Sequence, residues 1–322
     1  MLRGRGAVNG SRPAWLARAG RLLRCAALLV PLAGLAELGA HFYFAGRAPR
    51  FDEWTGLVAP VDRIARPGDL VVVAPRWAEP LARRALGDGR MPLAEIARPD
   101  DSRLDAALEI SILGARDPEL ALWPEIERAA AGPFLLRRLR NPQPARLRFD
   151  FVEGLTPDRV EVDLAGERCP FNPRARVLSG GLGGHPTFPP ARFECSAGEY
   201  FNVGVTVIAD ELFRARRCLW AHPPRRGELH IRFRGVDLGR VIRGHGGMYW
   251  MIERERTGAP VELVVRVGGE TVGRYVHRDG DGWQSFELPL GRHEGARGAE
   301  VEFAVSSSDY RHRHFCFEAV SE

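Results

Sequence analysis

The alternation of apolar and polar positions changes character along the chain and divides it into three stretches. From Cys25 to Phe44 the sequence CAALLVPLAGLAELGAHFYF is apolar almost throughout. A helix of about twenty residues, rising about 1.5 Å each, matches a hydrocarbon core of roughly 30 Å. The residues before it include Arg3, Arg5, Arg12, Arg18, Arg21 and Arg24 and no acid, and positive flanks stay on the cytoplasmic side. This stretch predicts a cytoplasmic arginine-rich tail at residues 1–24 and a transmembrane signal-anchor at 25–45. The expected topology is single-pass in the cell membrane, N-in and C-out, with the bulk of the chain extracytoplasmic. Pro31, Glu37 and His41 interrupt the run. A cleaved signal peptide ending near Ala36 is the alternative. Glu37 and His41, one helical turn apart, would lie at the outer interface or touch a partner within the membrane.

The second stretch, 51–144, mixes helical and strand-like spacing. The turn Pro67-Gly68-Asp69 opens a continuous apolar strand from Leu70 to Ala74, which Pro75 stops. WAEPLARRALGD follows with helical spacing, and AALEISILGA (Ala106 to Ala115) is the next apolar piece. ELALWPEIERAAAG reads as helical apart from Pro124, and Phe134 to Leu139 closes as a strand. Strands that are apolar throughout, alternating with helices, predict a small α/β domain whose parallel or mixed sheet is covered on both faces.

The third stretch, 145–322, is β in style. LRFDFVE, RVEVDL, YFNVGVTVIA, ELHIRFRGV, VELVVRVGG, WQSFELPL and AEVEFAVSS alternate in and out between Gly, Pro and Asp turns. About eight such strands make a sandwich, with its core near 195–322. The expected fold is an N-terminal single transmembrane helix, a small α/β domain and an all-β jelly-roll-like sandwich.

Composition narrows the function by exclusion. With 322 residues, 45% hydrophobic, the chain can bury two separate cores. Its 46 basic residues are all arginine and lie among 41 acids along the whole length. A nucleic-acid partner needs local clustering of positive charge, so none is expected. Cys25 falls in the apolar run, leaving Cys169, Cys195, Cys218 and Cys316 as an even set. In an extracytoplasmic region these predict two disulfides, with three possible connectivities.

Two resemblances add to this. Trp54, the Pro67-Gly68-Asp69 turn before VVVAP, and the later EIS and PFLLRRL strands resemble the soluble extracytoplasmic domain of bacterial lipid-linked-sugar (GT-C type) glycosyltransferases. Those enzymes have many spans and a catalytic aspartate near the membrane, whereas one span is expected here. The resemblance therefore implies an accessory domain without the catalytic body. The C-terminal strands resemble a galactose-binding-like jelly roll, whose first and last strands lie side by side. That implies a bond between Cys218 and Cys316 on those strands, leaving Cys169 with Cys195 to close the Gly- and Pro-rich loop between them.

Candidate chemistry is sparse. HRDGDGWQSFELPLG suggests calcium, but counting from Asp279 places Trp283 at position five and Leu290 at position twelve, where an EF-hand requires oxygen ligands. A tight hairpin turn is expected instead, with Trp283 starting the next strand. RGHGGMYWMIERER offers His245, Tyr249 and Trp250 as a sugar platform, with Tyr249 facing outward; the alternative is a strand crossover with Met248 and Trp250 in the core. In DYRHRHFCFE, alternation would place Arg311 and Arg313 on one face for an anionic sugar. His312 and His314 would share the other, where a metal pair with Asp309 is the alternative. No G-x-S-x-G, H-E-x-x-H or phosphate-binding glycine loop occurs, and no cofactor is expected. The sequence thus predicts a non-catalytic protein with a sandwich that binds carbohydrate or an envelope partner, possibly accessory to cell-surface glycan assembly. A glycan-active hydrolase or a purely structural envelope subunit is the alternative.

Overall fold

The computed structural model describes residues 14–180 and 185–322, so most of the expected arginine-rich tail lies outside the described residues. Helix α1 (Ala14–Ala45) covers the expected span, but Pro31 lies inside it and Glu37 and His41 break its apolar surface. Among the described residues no helix is long and apolar enough to cross a membrane. The predicted transmembrane signal-anchor is corrected accordingly, and with it the fold class built around it; the structure is mostly β-sheet with a few helices.

Four short helices, α2 (Phe51–Thr55), α3 (Val58–Ile64), α4 (Glu79–Leu86) and α5 (Leu93–Ile96), accompany a four-stranded mixed sheet. Its strands β1 (Leu70–Ala74), β2 (Ala106–Ser111), β3 (Glu125–Ala131) and β4 (Phe134–Arg140) run in the order β1-β2-β4-β3. Only β1 and β2 are parallel. Every residue of β1 and β2 is buried, which is why β1 reads as an unbroken apolar run; in β2 the buried Glu109 is paired with Arg137. Trp54 packs edge-on against Phe134, with centroids 4.6 Å apart, and ties α2 to the sheet. The segment expected as a helix, EIERAAA, is instead the edge strand β3. Its Ala and Glu favour helix, but pairing with β4 outweighs that weak preference.

The remaining strands form two sheets. They are β5 (Phe149–Asp150), β6 (Val160–Leu164), β7 (Glu167–Arg168), β8 (Phe171–Asn172), β9 (Arg192–Glu194), β10 (Asn202–Ala209), β11 (Ala215–Ala221) and β12 (Leu229–Val236). After these come β13 (Val241–Met248), β14 (Val261–Val267), β15 (Glu270–His277), β16 (Gln284–Pro289), β17 (Ala299–Ser307) and β18 (Phe315–Ser321), with α6 (Trp250–Glu255) between β13 and β14. One sheet has the order β16-β13-β18-β11-β10-β9-β8, with β5 also on β18; the other is β15-β14-β17-β12-β6-β7.

Strict alternation of burial along β14 and most of β12 supplies one wall of the core. Phe151 sits between Phe233 and Phe303, edge to face at 5.0 and 4.8 Å. Each fully buried ring of this kind contributes about 1.5–3 kcal/mol. On the outer face, Arg232 bridges Asp163 and Glu302, and Arg266 joins Glu302 and Glu228. The arginines there are taken up by neighbouring carboxylates.

The disulfides are Cys218–Cys316 and Cys169–Cys195, with Cα atoms 5.7 and 4.4 Å apart. The first joins the adjacent strands β11 and β18, as the jelly-roll resemblance implied; Trp220 is the ladder partner of Cys316. The mixed sheet lies against the larger sheet of the sandwich. Arg103 reaches Asp150 and Glu318, the Arg217 amide donates to the Ala97 carbonyl at 2.6 Å, and the Arg216 guanidinium donates to the carbonyls of Arg98 and Pro99.

Candidate functional site

The turn within HRDGDGWQSFELPLG is structural. β15 and β16 belong to different sheets, so Asp279-Gly280-Asp281-Gly282 is a crossover and not the expected hairpin. Gly280 and Gly282 have φ of +89° and +72°, which other residues adopt only with strain. Their amides donate to Glu253 Oε2 at 2.8 and 3.3 Å. Glu253 in turn contacts His277 Nε2 at 2.6 Å, and the Tyr275 hydroxyl lies 3.0 Å from His277 Nδ1. Asp279 is held by Arg313, which also donates to the carbonyls of Ala259 and Arg311.

Arg313 is therefore buried in a structural ion pair, at 1% side-chain exposure against 2% for Asp279, and cannot join Arg311 on an outward face. Arg311 is exposed and grips Asp309. Tyr249, expected to face outward, is only 7% exposed and packs with Ile208 beside the Cys218–Cys316 bridge. Trp250 begins α6 and stands 5.2 Å from the exposed Phe213, with Arg254 over both rings. His245 sits in the seam between the sheets, its Nδ1 2.7 Å from Glu318 and its ring parallel to Trp283 at 6.1 Å. The expected platform of His245, Tyr249 and Trp250 is thus dispersed, and of the predicted ligand-binding residues Arg311 alone lines the pocket described next.

That pocket, of about 360 Å³, opens where β10 begins and β11 ends, facing the segment before β18. Tyr200, Phe201, His222, Tyr310 and His314 form its aromatic wall, with Met251 and Ile252 of α6 opposite and Arg311 and His312 at the rim. Tyr200 stacks on His314 at 5.7 Å and 15°. Phe201 meets His222 edge-on at 5.0 Å, and Tyr310 approaches both. The Trp220 indole beneath donates to the Tyr200 carbonyl at 2.8 Å, holding that turn.

The imidazoles of His222 and His314 are kept neutral. Burial pushes His222 down to about 4, against its hydrogen bond with the Pro223 carbonyl and helped by the neighbouring Arg313 and His312. Burial, followed by His222 and His312, pushes His314 down to about 3. His222 Nδ1 lies 2.9 Å from the Pro223 carbonyl, which can only accept, so the proton is on Nδ1 and Nε2 is left as an acceptor. His314 Nδ1 is buried without a hydrogen-bond partner among the described residues. His312 and His314 stack with centroids 6.5 Å apart, and no group of three or more potential ligands is arranged to hold a metal among the described residues. The pocket offers ring faces and neutral donors and acceptors, which suits an uncharged hydroxylated ligand.

No family model matches the chain, and no curated protein matches it. Solved structures similar to it include CBM51-2, in complex with GlcNAc, and INT domains from Clostridium perfringens ZmpB. That match has 10% identity and a TM-score of 0.28, covering 47% of this chain and 32% of that one. The xylan-binding module CBM15 matches at 6% identity and a TM-score of 0.25, covering 54% and 95%. The sugar-binding C-terminal domain of EclA matches at 14% and 0.20, covering 44% and 85%.

Proposed function

We propose that this protein is a carbohydrate-binding protein of an oxidising, extracytoplasmic compartment, and that the pocket lined by Tyr200, Phe201, His222, Tyr310 and His314 receives the sugar. The observation that carries the reading is the stacked wall of aromatic rings interleaved with buried neutral imidazoles. Sugar rings present C–H faces to aromatics and hydroxyls to planar donors and acceptors. The compartment is supported by the two disulfides, which persist where thiols are oxidised.

The test is retention of the full chain on immobilised xylan, chitin and peptidoglycan. Tyr310 is half-buried at the mouth, so Tyr310→Ala removes a ring face while leaving the core in place. Losing about 0.5–1.5 kcal/mol of ring contact weakens binding by up to about tenfold. Retention on none of the three polysaccharides, or equal retention of the variant, overturns the assignment.

A further inference from the structure

A second and larger cavity, of about 510 Å³, lies between the mixed sheet and the sandwich. It opens just beyond the end of β1 and faces the turn between β10 and β11. The position follows from topology, since ligands of open α/β sheets gather outside the carboxyl ends of parallel strands and at domain boundaries. Two aromatics line it in the open: Trp77 is 60% exposed and Phe213 is 59% exposed. Arg254 already lies 4.7 Å from the Phe213 centroid. Trp77 has no ring or cation partner among the described residues and presents a free face.

The charges beneath these rings are unevenly committed. Arg76 is held by Asp117 and Glu119, Arg214 by Glu119, Arg216 by Asp210 and Arg98 by Asp101. None of the four guanidinium groups is left for an anion. Glu79 also lines the cavity, and among the described residues its carboxylate has neither a hydrogen bond nor an ion pair, its backbone N–H alone donating to the Arg76 carbonyl. Its carboxyl is raised above the ordinary glutamate range, first by burial, while the charges of Arg98, Arg76 and Arg83 work against the rise and Asp117 with it. Desolvation without a direct partner leaves a carboxylate that an incoming cation would compensate. The indole face of Trp77, two residues earlier, attracts the same kind of ligand.

We infer that this cleft binds a ligand carrying a protonated amine beside an apolar ring face, an amino sugar being the simplest, with the ammonium on Glu79 and the ring on Trp77. The site is separate from the histidine-lined pocket and stands or falls without it. Calorimetric titration of the full chain at neutral pH with glucosamine, N-acetylglucosamine and glucose tests it. Glucosamine binds, and the two uncharged sugars bind at least about tenfold more weakly, because neither brings an ammonium to Glu79. Glu79→Gln and Trp77→Ala each reduce glucosamine affinity at least about tenfold. Both side chains are half-buried or exposed, and an unchanged melting temperature shows that the variants remain folded. Tyr310→Ala leaves glucosamine affinity unchanged, which keeps failure here distinct from failure of the sandwich pocket. The inference is overturned if glucosamine gives no binding heat at millimolar concentration, if the binding that Glu79→Gln removes is as strong for N-acetylglucosamine as for the free amine, if Glu79→Gln binds glucosamine normally, or if Tyr310→Ala abolishes the binding.

Discussion

The two aspartates of the DGDG crossover look equivalent in sequence and should differ sharply when changed. Asp279 accepts from both Arg313 Nη atoms and, at 2.9 Å, from the Gly258 amide, in a place where neither charged side chain meets water. The surroundings leave no room to adjust: a Cβ on Gly258 would lie 1.7 Å from Arg313 Nη2. Asp279→Asn keeps an oxygen for the Gly258 amide but strands a buried guanidinium. Removing one partner of a buried pair costs about 3–5 kcal/mol, and the retained acceptor puts this variant near the lower end. Among the described residues the Asp281 carboxylate accepts only the Arg278 amide, at 3.1 Å on the exposed side of the turn, so Asp281→Asn should stay within about 0.5 kcal/mol of the parent. Guanidinium unfolding followed by tryptophan fluorescence measures both. The pair Asp279→Leu with Arg313→Met, which removes both charges together, should recover most of the loss. Added calcium should shift none of these curves. Equal costs for the two asparagine variants, or a cost below about 1 kcal/mol for Asp279→Asn, would refute the reasoning.

Two further outcomes follow from the pocket and the bridges. The His222 imidazole falls from 6.5 to about 4 in the folded protein, so the unfolded chain binds its proton first as pH drops. The fold is fully stable above the unfolded value and loses about 3 kcal/mol from this group as pH falls from 6.5 through 4, at about 1.4 kcal/mol per unit. His222→Asn should flatten that part of the stability profile; a profile as steep as the parent's, or an NMR titration of His222 near 6.5, would contradict the assignment. Replacing Cys218 and Cys316 by serine opens a loop with a sequence separation of 98, against 26 for Cys169 and Cys195. The chain-entropy model gives about 4–5 and about 3–4 kcal/mol respectively, so denaturant midpoints should fall further for the first pair; the opposite order would count against the model.

The sandwich was legible because its core repeats every second residue, as in VELVVRV with alternate positions buried. β3 was not, since EIERAAA has helical composition and its strand state comes from β4, which follows it. A period of two also reports which face a residue takes and not what lies over that face. Tyr249 therefore read as outward when the disulfide and Ile208 cover it. The pocket draws on residues about a hundred positions apart, yet one signal for it was present. Once Cys218 and Cys316 are placed on neighbouring antiparallel strands, with Trp220 opposite Cys316, continuing the register past the strand ends brings His222 opposite His314. The arithmetic needed the ladder register, which the cysteines alone leave open by a residue or two.

The place of β18 in the larger sheet also governs how the chain can be made. This last strand lies between β13 and β11 and receives β5 as well, while the Glu322 carbonyl accepts the Arg240 and Val241 amides. During synthesis the strands on either side emerge long before the one that joins them. The half-sheets must wait with unpaired edges, a condition that invites wrong pairing. Closure becomes possible only after β18 itself has emerged from the ribosome. A premature stop just before Phe315 would delete a central strand and one cysteine, leaving its partner thiol exposed to mispairing. Residues inserted directly after Glu322 would crowd the same seam, where its carbonyl accepts the Arg240 and Val241 amides.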